Sequence, residues 1–208
     1  VGTKTPYASI RRIVQERPEI FRIKPGLWAL VEYKEKLPDD IKALMETKTE
    51  KGERYGHYYY QGLIAEIGNF NGKYTFVPYQ DRNKPYLGKR LGDTVNLDKI
   101  FNFGYEHIVK KASTVDVIWF NERKMPHSFF EIEHSTDFQN SLLKFFELQD
   151  YYANFYIISD ESRKREFEKK ISLSAFNPIR KRVRFVDYKQ ILRLYGIEKE
   201  RGNIINIS

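Results

Sequence analysis

The sequence predicts an α/β protein with a mixed central sheet flanked by helices, preceded by a small N-terminal fragment patterned like part of a winged helix. Three observations carry this expectation. Strand-like runs at 115–120 and 129–134 are followed by regular alternation of helix and strand to the C-terminus. A polar stretch at 47–56, with two glycines and no apolar period, separates a short N-terminal part from the rest. Hydrophobic residues make up 41% of 208 positions against 31% charged, enough to bury a core and too many for a disordered tail. The expected organisation is a partial winged-helix module at 1–46, a linker at 47–56 and a catalytic-sized domain at 57–208.

Thr5-Pro6 has the chemistry of a helix start, with a hydroxyl at the N-cap and proline in the first turn. Ile10, Ile13 and Val14 then form an apolar stripe, Arg11, Arg12 and Arg17 project elsewhere, and Pro18 stops the helix. Phe21–Ile23 and Leu27–Leu30 around Lys24-Pro25-Gly26 read as two strands and a turn, completing the back half of a winged helix. Beyond the linker, 58–67 reads as a strand, Asn71-Gly72 as a type I′ hairpin turn and 74–77 as its partner. The segment 79–92 reads as a basic loop, and 97–111 as a helix through Ile100, Phe101, Tyr105 and Ile108. Strands at 115–120 and 129–134 follow, then an amphipathic helix over 137–151 with Leu142, Leu143, Phe146 and Leu148 apolar. A strand at 155–158, a charged helix at 161–170, a strand at 183–186 and a helix at 188–195 ended by Gly196 complete the chain.

Composition excludes several classes. The mean hydropathy is −0.62, and no apolar run approaches the ~20 residues of a membrane span. The absence of cysteine removes disulfide scaffolds, thiol nucleophiles and cysteine-based zinc sites. There is no G-x-S-x-G elbow and no Walker phosphate loop, which disfavours serine hydrolysis and ATP-driven work. The N-terminus lacks the apolar core of a signal peptide, so a cytoplasmic setting is expected. Val1 stands where an initiator Met is expected, which suggests processing or a longer parent chain with a missing N-terminal segment. Lys and Arg number 36 against 28 acids, a net +8 that suits a polyanionic partner.

The informative stretch is VDVIWFNERKMPHSFFEIEH, 115–134. Asp116 opens an apolar strand, where its desolvation must be offset. Glu131 and Glu133 alternate with Phe130 and Ile132, so both glutamates share one face of the next strand. If the strands pair, three carboxylates meet at one sheet edge. Their mutual repulsion is relieved by a hard cation with oxygen ligands, such as Mg²⁺. An isolated Glu-x-Glu also fits the wet face of an ordinary strand; Asp116 and the helix at 137 shift the balance towards a site.

Asp, then a strand bearing Glu-x-Glu, then a helix and another strand, resembles the PD-(D/E)XK nuclease superfamily of restriction and repair enzymes over about residues 95–160. The resemblance implies a restriction endonuclease-like core, with Asp116 and Glu131 as Mg²⁺ ligands (Mn²⁺ as substitute), Ile132 offering its carbonyl and Glu133 in the usual lysine position. An acid there resembles a variant found among restriction enzymes, and it leaves open whether Glu133 is base or second-metal ligand. Val115 replaces the proline of the motif. Glu106, before the strand, matches the place from which some members add another acid. The stretch 3–30 separately resembles the latter half of the HARE-HTH winged helix.

Other groups read more plainly. His134 suits a strand-end role; His57, His107 and His127 show no metal-ligand spacing and read as incidental. Ser135-Thr136-Asp137 caps the next helix, Gln139 is a weak candidate for supporting the site, and Glu147 and Asp150 belong to a solvated face. Arg163-Lys164-Arg165 is interleaved with acids and reads as a salt-bridged surface. Arg180, Lys181 and Arg182, with Arg184, lack interleaved acids and are phosphate-contact candidates; Gln80, Arg82 and Lys84 in the long loop are candidates for reading base edges, and Arg11, Arg12 and Arg17 on the first helix are further DNA-binding candidates. The expected function is Mg²⁺-dependent endonucleolytic cleavage of duplex DNA, as a homodimer because two strands need two sites, or with a partner subunit. A non-cleaving DNA-binding protein on the same scaffold and an RNA-processing nuclease are the alternatives.

Overall fold

The computed structural model describes residues 20–24, 27–30, 32–33 and 56–205. The chain divides into two compact units, 1–54 and 55–208. The helix expected around 5–17, with Arg11, Arg12 and Arg17, and the linker up to residue 55 lie outside the described residues. In the first unit, β1 (Ile20–Lys24) pairs antiparallel with β2 (Leu27–Leu30), setting Ile20 opposite Leu30, with a register shift between Arg22 and Lys24. The hairpin matches the expected two strands.

The second unit opens on helix α1 (His57–Phe70), where the sequence reads as a strand. The run of aromatic and β-branched residues favours a strand by propensity. Tyr60, Leu63, Ile64 and Ile67, however, stand three and four apart and are at most 1% exposed, and tertiary burial along that stripe decides for helix. Asn71-Gly72 is likewise a helix end. Gly72 (φ +65°) takes the left-handed position, its N–H donates to the Asn69 carbonyl, and the Lys73 N–H reaches back to Gly68 at 3.0 Å. This is a Schellman closure. It leads into β3 (Tyr74–Phe76).

A type I′ turn does occur further on, at Leu87-Gly88 (φ +45° and +81°), between β4 (Pro85–Tyr86) and β5 (Lys89–Arg90). The helix expected over 97–111 is confined to α2 (Glu106–Ala112). Before it, the Leu97 N–H donates to the Thr75 carbonyl, and the Asn96 side chain accepts from the Thr75 N–H. The Leu97 N–H is thus tied to the β3 edge, and Leu97, Ile100 and Phe101 pack on the core without closing a helix.

The remaining elements are β6 (Val117–Phe120), β7 (Pro126–Glu133), α3 (Gln139–Glu147), β8 (Asn154–Ser159), α4 (Lys164–Ile171), β9 (Val183–Asp187) and α5 (Tyr188–Ile205). Helix α3 is shorter than the predicted 137–151, and it buries Leu142 and Phe145 while Leu143 is exposed. Helix α5 runs through Gly196, where a single glycine costs only about 1 kcal/mol and good helix formers follow.

The strands form one sheet in the order β3-β6-β7-β8-β9, antiparallel from β3 to β7 and parallel from β7 to β9. Alternating side chains feed two cores. Ile118, Phe120, Phe129, Phe155 and Ile157 face α2, α3 and α4; Val117, Phe130, Ile132 and Ile158 face α1 and α5. Helix α1 lies close to the sheet because it carries glycine at the contacts. A Cβ at Gly62 would collide with the Tyr86 ring, and one at Gly68 would lie 2.5 Å from Trp119 Nε1, which donates to the Ile64 carbonyl at 3.0 Å. Glu66 ties the layer together by accepting from Tyr86 Oη (2.9 Å), Tyr195 Oη (2.8 Å) and Lys89 Nζ (2.8 Å). Among the described residues, no helix is long and apolar enough to cross a membrane.

Two glycine substitutions should move stability in opposite directions. Gly62→Ala overpacks against the buried Tyr86 ring and should cost about 1–3 kcal/mol. Gly196→Ala meets nothing within 4 Å and should gain roughly 0.5–1 kcal/mol. Urea midpoints at unchanged m-value measure both.

Candidate active site

Strand pairing builds the centre of the site. Antiparallel register sets Val117 opposite Phe130, so Asp116, one residue earlier, falls beside Glu131, one residue later. The Ile132 N–H donates to Asp116 Oδ2 at 2.7 Å and pins that carboxylate to β7. Glu131 and Glu133 point to the α3 side of the sheet, as alternation requires. Ser141 and Lys144, one helical turn apart on α3, face them. Ser141 Oγ lies 3.0 Å from Glu131 Oε2 and also meets Glu133; its one proton serves one of them at a time. Thr136 Oγ1 donates to the other oxygen of Glu133. Lys144 Nζ reaches both oxygens of Glu131, at 2.8 and 2.9 Å, and the Thr114 carbonyl at 2.9 Å. Asp116, Glu131, Ile132, Glu133, Ser141 and Lys144 line a cavity of about 360 Å³, with His57 and His134 also in its wall.

The electrostatics follow from burial. Glu131 is 3% exposed and Glu133 6%. Burial pushes the Glu131 carboxyl up, the Asp116 charge adds to this, and Lys144 and Ser141 oppose it. The two contacts to the Lys144 ammonium limit this rise without reversing it, and the carboxyl stays well above its ordinary range. The Lys144 ammonium is disfavoured by burial, but the charges of Glu131, Asp116 and Glu133 raise its pKa overall. Glu133 is also raised, by burial first and by Asp116. Three acids against one lysine leave the cavity with an excess of negative charge, which favours a cation with oxygen ligands.

The structure thus brings together Asp116, Glu131, Ile132 and Glu133. Glu106 is exposed in the first turn of α2 and does not line the cavity. Gln139 lies at the surface near Lys170 (3.4 Å), and Glu147 pairs with Lys111 at 3.1 Å. Asp137 takes the Gln139 N–H at the start of α3, while Thr136 is turned to Glu133. His134 Nδ1 meets Tyr188 Oη at 2.7 Å, at the end of β7.

Several basic residues expected to contact DNA have internal partners. Arg82 donates to the Leu97 carbonyl at 2.7 Å and lies over the Tyr79 ring at 4.7 Å. Arg180 donates to the carbonyls of Ile171, Ser172 and Leu173 at the end of α4. Arg182 donates to those of Gln149, Tyr151 and Ala153. Lys84 Nζ lies over the Tyr58 ring at 5.3 Å. Gln80, Lys181 and Arg184 are exposed.

Lys144, Ser141 and Thr136 were not expected at the site. The available signal was polar residues at helical spacing on the face of α3 that also carries Leu142 and Phe145. His57, read from the sequence as incidental, is corrected: its Nε2 stands 3.3 Å from Asp116 Oδ1. Placing 58–67 in a strand hid this proximity.

Because Lys144 is the cation on a buried carboxylate, Lys144→Met should cost about 3 kcal/mol. Adding Glu131→Gln removes the unpaired charge and should recover most of that loss. Denaturant midpoints of the two single variants and the double variant check the coupling.

The family described as the type II restriction enzyme NmeDI C-terminal domain matches residues 36–205 of this chain. The type II restriction enzyme NmeDI of Neisseria meningitidis serogroup C is 25% identical over 153 residues, covering 68% of this chain and 42% of that protein. The chain therefore spans less than half the length of this curated relative. No solved structure matches.

Proposed function

The chain belongs to the family of the type II restriction enzyme NmeDI C-terminal domain, and from that premise we propose that it is a Mg²⁺-dependent endonuclease domain that hydrolyses phosphodiester bonds of duplex DNA. The observation that carries this proposal is the convergence of Asp116, Glu131, Glu133 and Lys144 on one cavity. The order helix α1, antiparallel β3, β6 and β7, helix α3 and parallel β8 supports a place in the PD-(D/E)XK superfamily. The relative's name points to a restriction system and hence to DNA as the substrate.

The donor set is hard and oxygen-only, which fits Mg²⁺. Asp116 and Glu131, with the Ile132 carbonyl, would hold it. When bound, the ion supplies Lewis-acid polarisation of the phosphodiester and a lowered pKa for water. Glu133, fixed by Thr136 and Ser141, accepts the proton from the attacking water. Its raised pKa brings it closer to the range of an effective base at neutral pH. Lys144 places an ammonium in the cavity wall, able to stabilise charge that builds on the phosphoryl oxygens. Water attacks phosphorus in line as its proton passes to Glu133, the bond to the 3′ oxygen breaks, that oxygen takes a proton from solvent, and 5′-phosphate and 3′-hydroxyl ends result. Lys181, Arg184 and Gln80 are the exposed candidates for contacts to DNA, and cutting both strands calls for a homodimer.

The test is incubation of a mixed-sequence DNA duplex with the chain and Mg²⁺, with EDTA, and with Asp116→Ala plus Mg²⁺. Discrete 5′-phosphate products are expected, lost with EDTA and reduced about a hundredfold or more in the variant. Binding without cutting in both Mg²⁺ and Mn²⁺ would overturn the proposal in favour of a DNA-binding scaffold. Cutting of RNA but not duplex DNA would overturn the substrate.

A further inference from the structure

The hairpin of β4 and β5 ends in a residue that the fold does not use. Leu87 stands at its tip, is 61% exposed and belongs to neither core. Its φ of +45° lies in the left-handed region, where a bulky side chain is strained. Asn, Asp or Gly is the ordinary residue for the first central position of a type I′ turn, and Gly88 fills the second. Leucine at the first position costs the fold twice, through backbone strain and through apolar surface left in water. Strain of this kind gathers where a side chain has a use outside the fold.

The hairpin beneath Leu87 is firmly held. Tyr86 is buried and donates to Glu66 of α1, and the Leu91 N–H donates to the Lys84 carbonyl at 2.8 Å. At the base of the loop, Asp81 Oδ2 accepts from the buried Gln61 Nε2 at 3.1 Å, and Lys84 Nζ lies over the Tyr58 ring. Tyr58 and Gln61 follow His57 on α1, and His57 lines the cavity. A rigid arm thus carries Leu87 out from the His57 wall, three residues beyond Lys84, or at most about 11 Å of extended chain. The charge on the arm selects its partner. Between Arg82 and Gly92 the sequence has no acid. Lys89 and Arg90, just after the tip, are exposed and engaged only in surface pairs with Glu66 and Asp93. Such pairs are weak in water and exchange readily for a phosphate. A protein partner would need a wider apolar face: the other exposed side chains around Leu87 are Asn83, Pro85, Lys89 and Arg90.

We propose that Leu87 is a wedge that enters duplex DNA between adjacent base pairs and partly unstacks them beside the cavity, an inference that rests on the proposed function for the choice of DNA as partner. Lys89 and Arg90 hold the backbone next to the opened step, and the apolar side chain leaves water for the space between the bases. The anchored hairpin supplies the stiffness that a wedge requires. Pyrimidine–purine steps such as TA and CA unstack most easily, so the wedge gives the chain a sequence preference without a hydrogen bond to any base.

The test is titration of the chain, in EDTA so that the DNA stays whole, into a duplex rich in TA and CA steps. Adenines in those steps are replaced by 2-aminopurine, whose fluorescence rises when its neighbours unstack. A rise is expected for wild type and for Leu87→Met, which keeps an apolar tip, and is expected to be lost in Leu87→Asn. Affinity for the duplex should fall about tenfold in Leu87→Asn, as the burial of one leucine side chain is lost. The same variant should raise the urea midpoint, because asparagine suits the left-handed turn position. A rise that survives Leu87→Asn, bound wild type without a rise, or a lowered urea midpoint would each overturn the wedge. So would a change of oligomeric state in Leu87→Asn at unchanged fluorescence, which would assign Leu87 to a contact between copies. Cleavage of duplex DNA with Mg²⁺ but no rise in wild type would overturn this proposal alone. A rise that depends on Leu87 without any cleavage would overturn only the nuclease reading, and no binding to DNA would overturn both.

Discussion

The burial of negative charge at the junction of β6 and β7 is the constraint on which the site depends. A carboxylate removed from water without compensation would protonate or destabilise the fold. Here each acid has its own answer. Glu131 has the Lys144 ammonium, Glu133 has two hydroxyls, Asp116 has a backbone N–H and His57, and Asp81 has Gln61. Only the first of these brings a full, permanent positive charge. The cavity therefore stays short of cations, and that deficit makes it a receptive place for a divalent ion.

The sheet supplies the rigidity that makes such an arrangement possible. Glu131 and Glu133 are on β7, held by the parallel ladder to β8, while the β6 ladder ends at Phe130, just before them. The two helices that complete the site reach it from opposite faces. Helix α3 brings Lys144 and Ser141 to the glutamates, while the start of α1 brings His57 to Asp116. Asp116, just before β6, is the residue both groups share. Substitution there would disturb both halves of the constellation, whereas Glu131 and His57 divide them cleanly.

Helix α1 also shows how packing sets chemistry. Gly62 and Gly68 let it approach Tyr86 and Trp119, and Gln61, between His57 and these contacts, is held at full burial. The same close approach that fills the second core carries the imidazole to the sheet edge. Arg82 and Arg182, by contrast, spend guanidinium donors on backbone carbonyls, so these two charges are drawn inward rather than offered at an open surface.

By itself, the sequence determined what depends on short-range pattern: the α/β class, the strands from 115 to the C-terminal half, the alternation that places Glu131 and Glu133 on one face, and the pairing of Asp116 with them. These follow from a two-residue strand period and one strand-to-strand connection. Tertiary structure decided whatever depends on which surface is buried. The aromatic run at 58–67 is a helix because Tyr60, Leu63, Ile64 and Ile67 find a sheet to cover, whereas Leu97, Ile100 and Phe101 pack on the core without one. The partners of the acids were out of reach for the same reason. Lys144 is 13 residues from Glu131, and His57 is 59 from Asp116. No local period links positions so far apart; only the packing of α3 and α1 on the two faces of the sheet does.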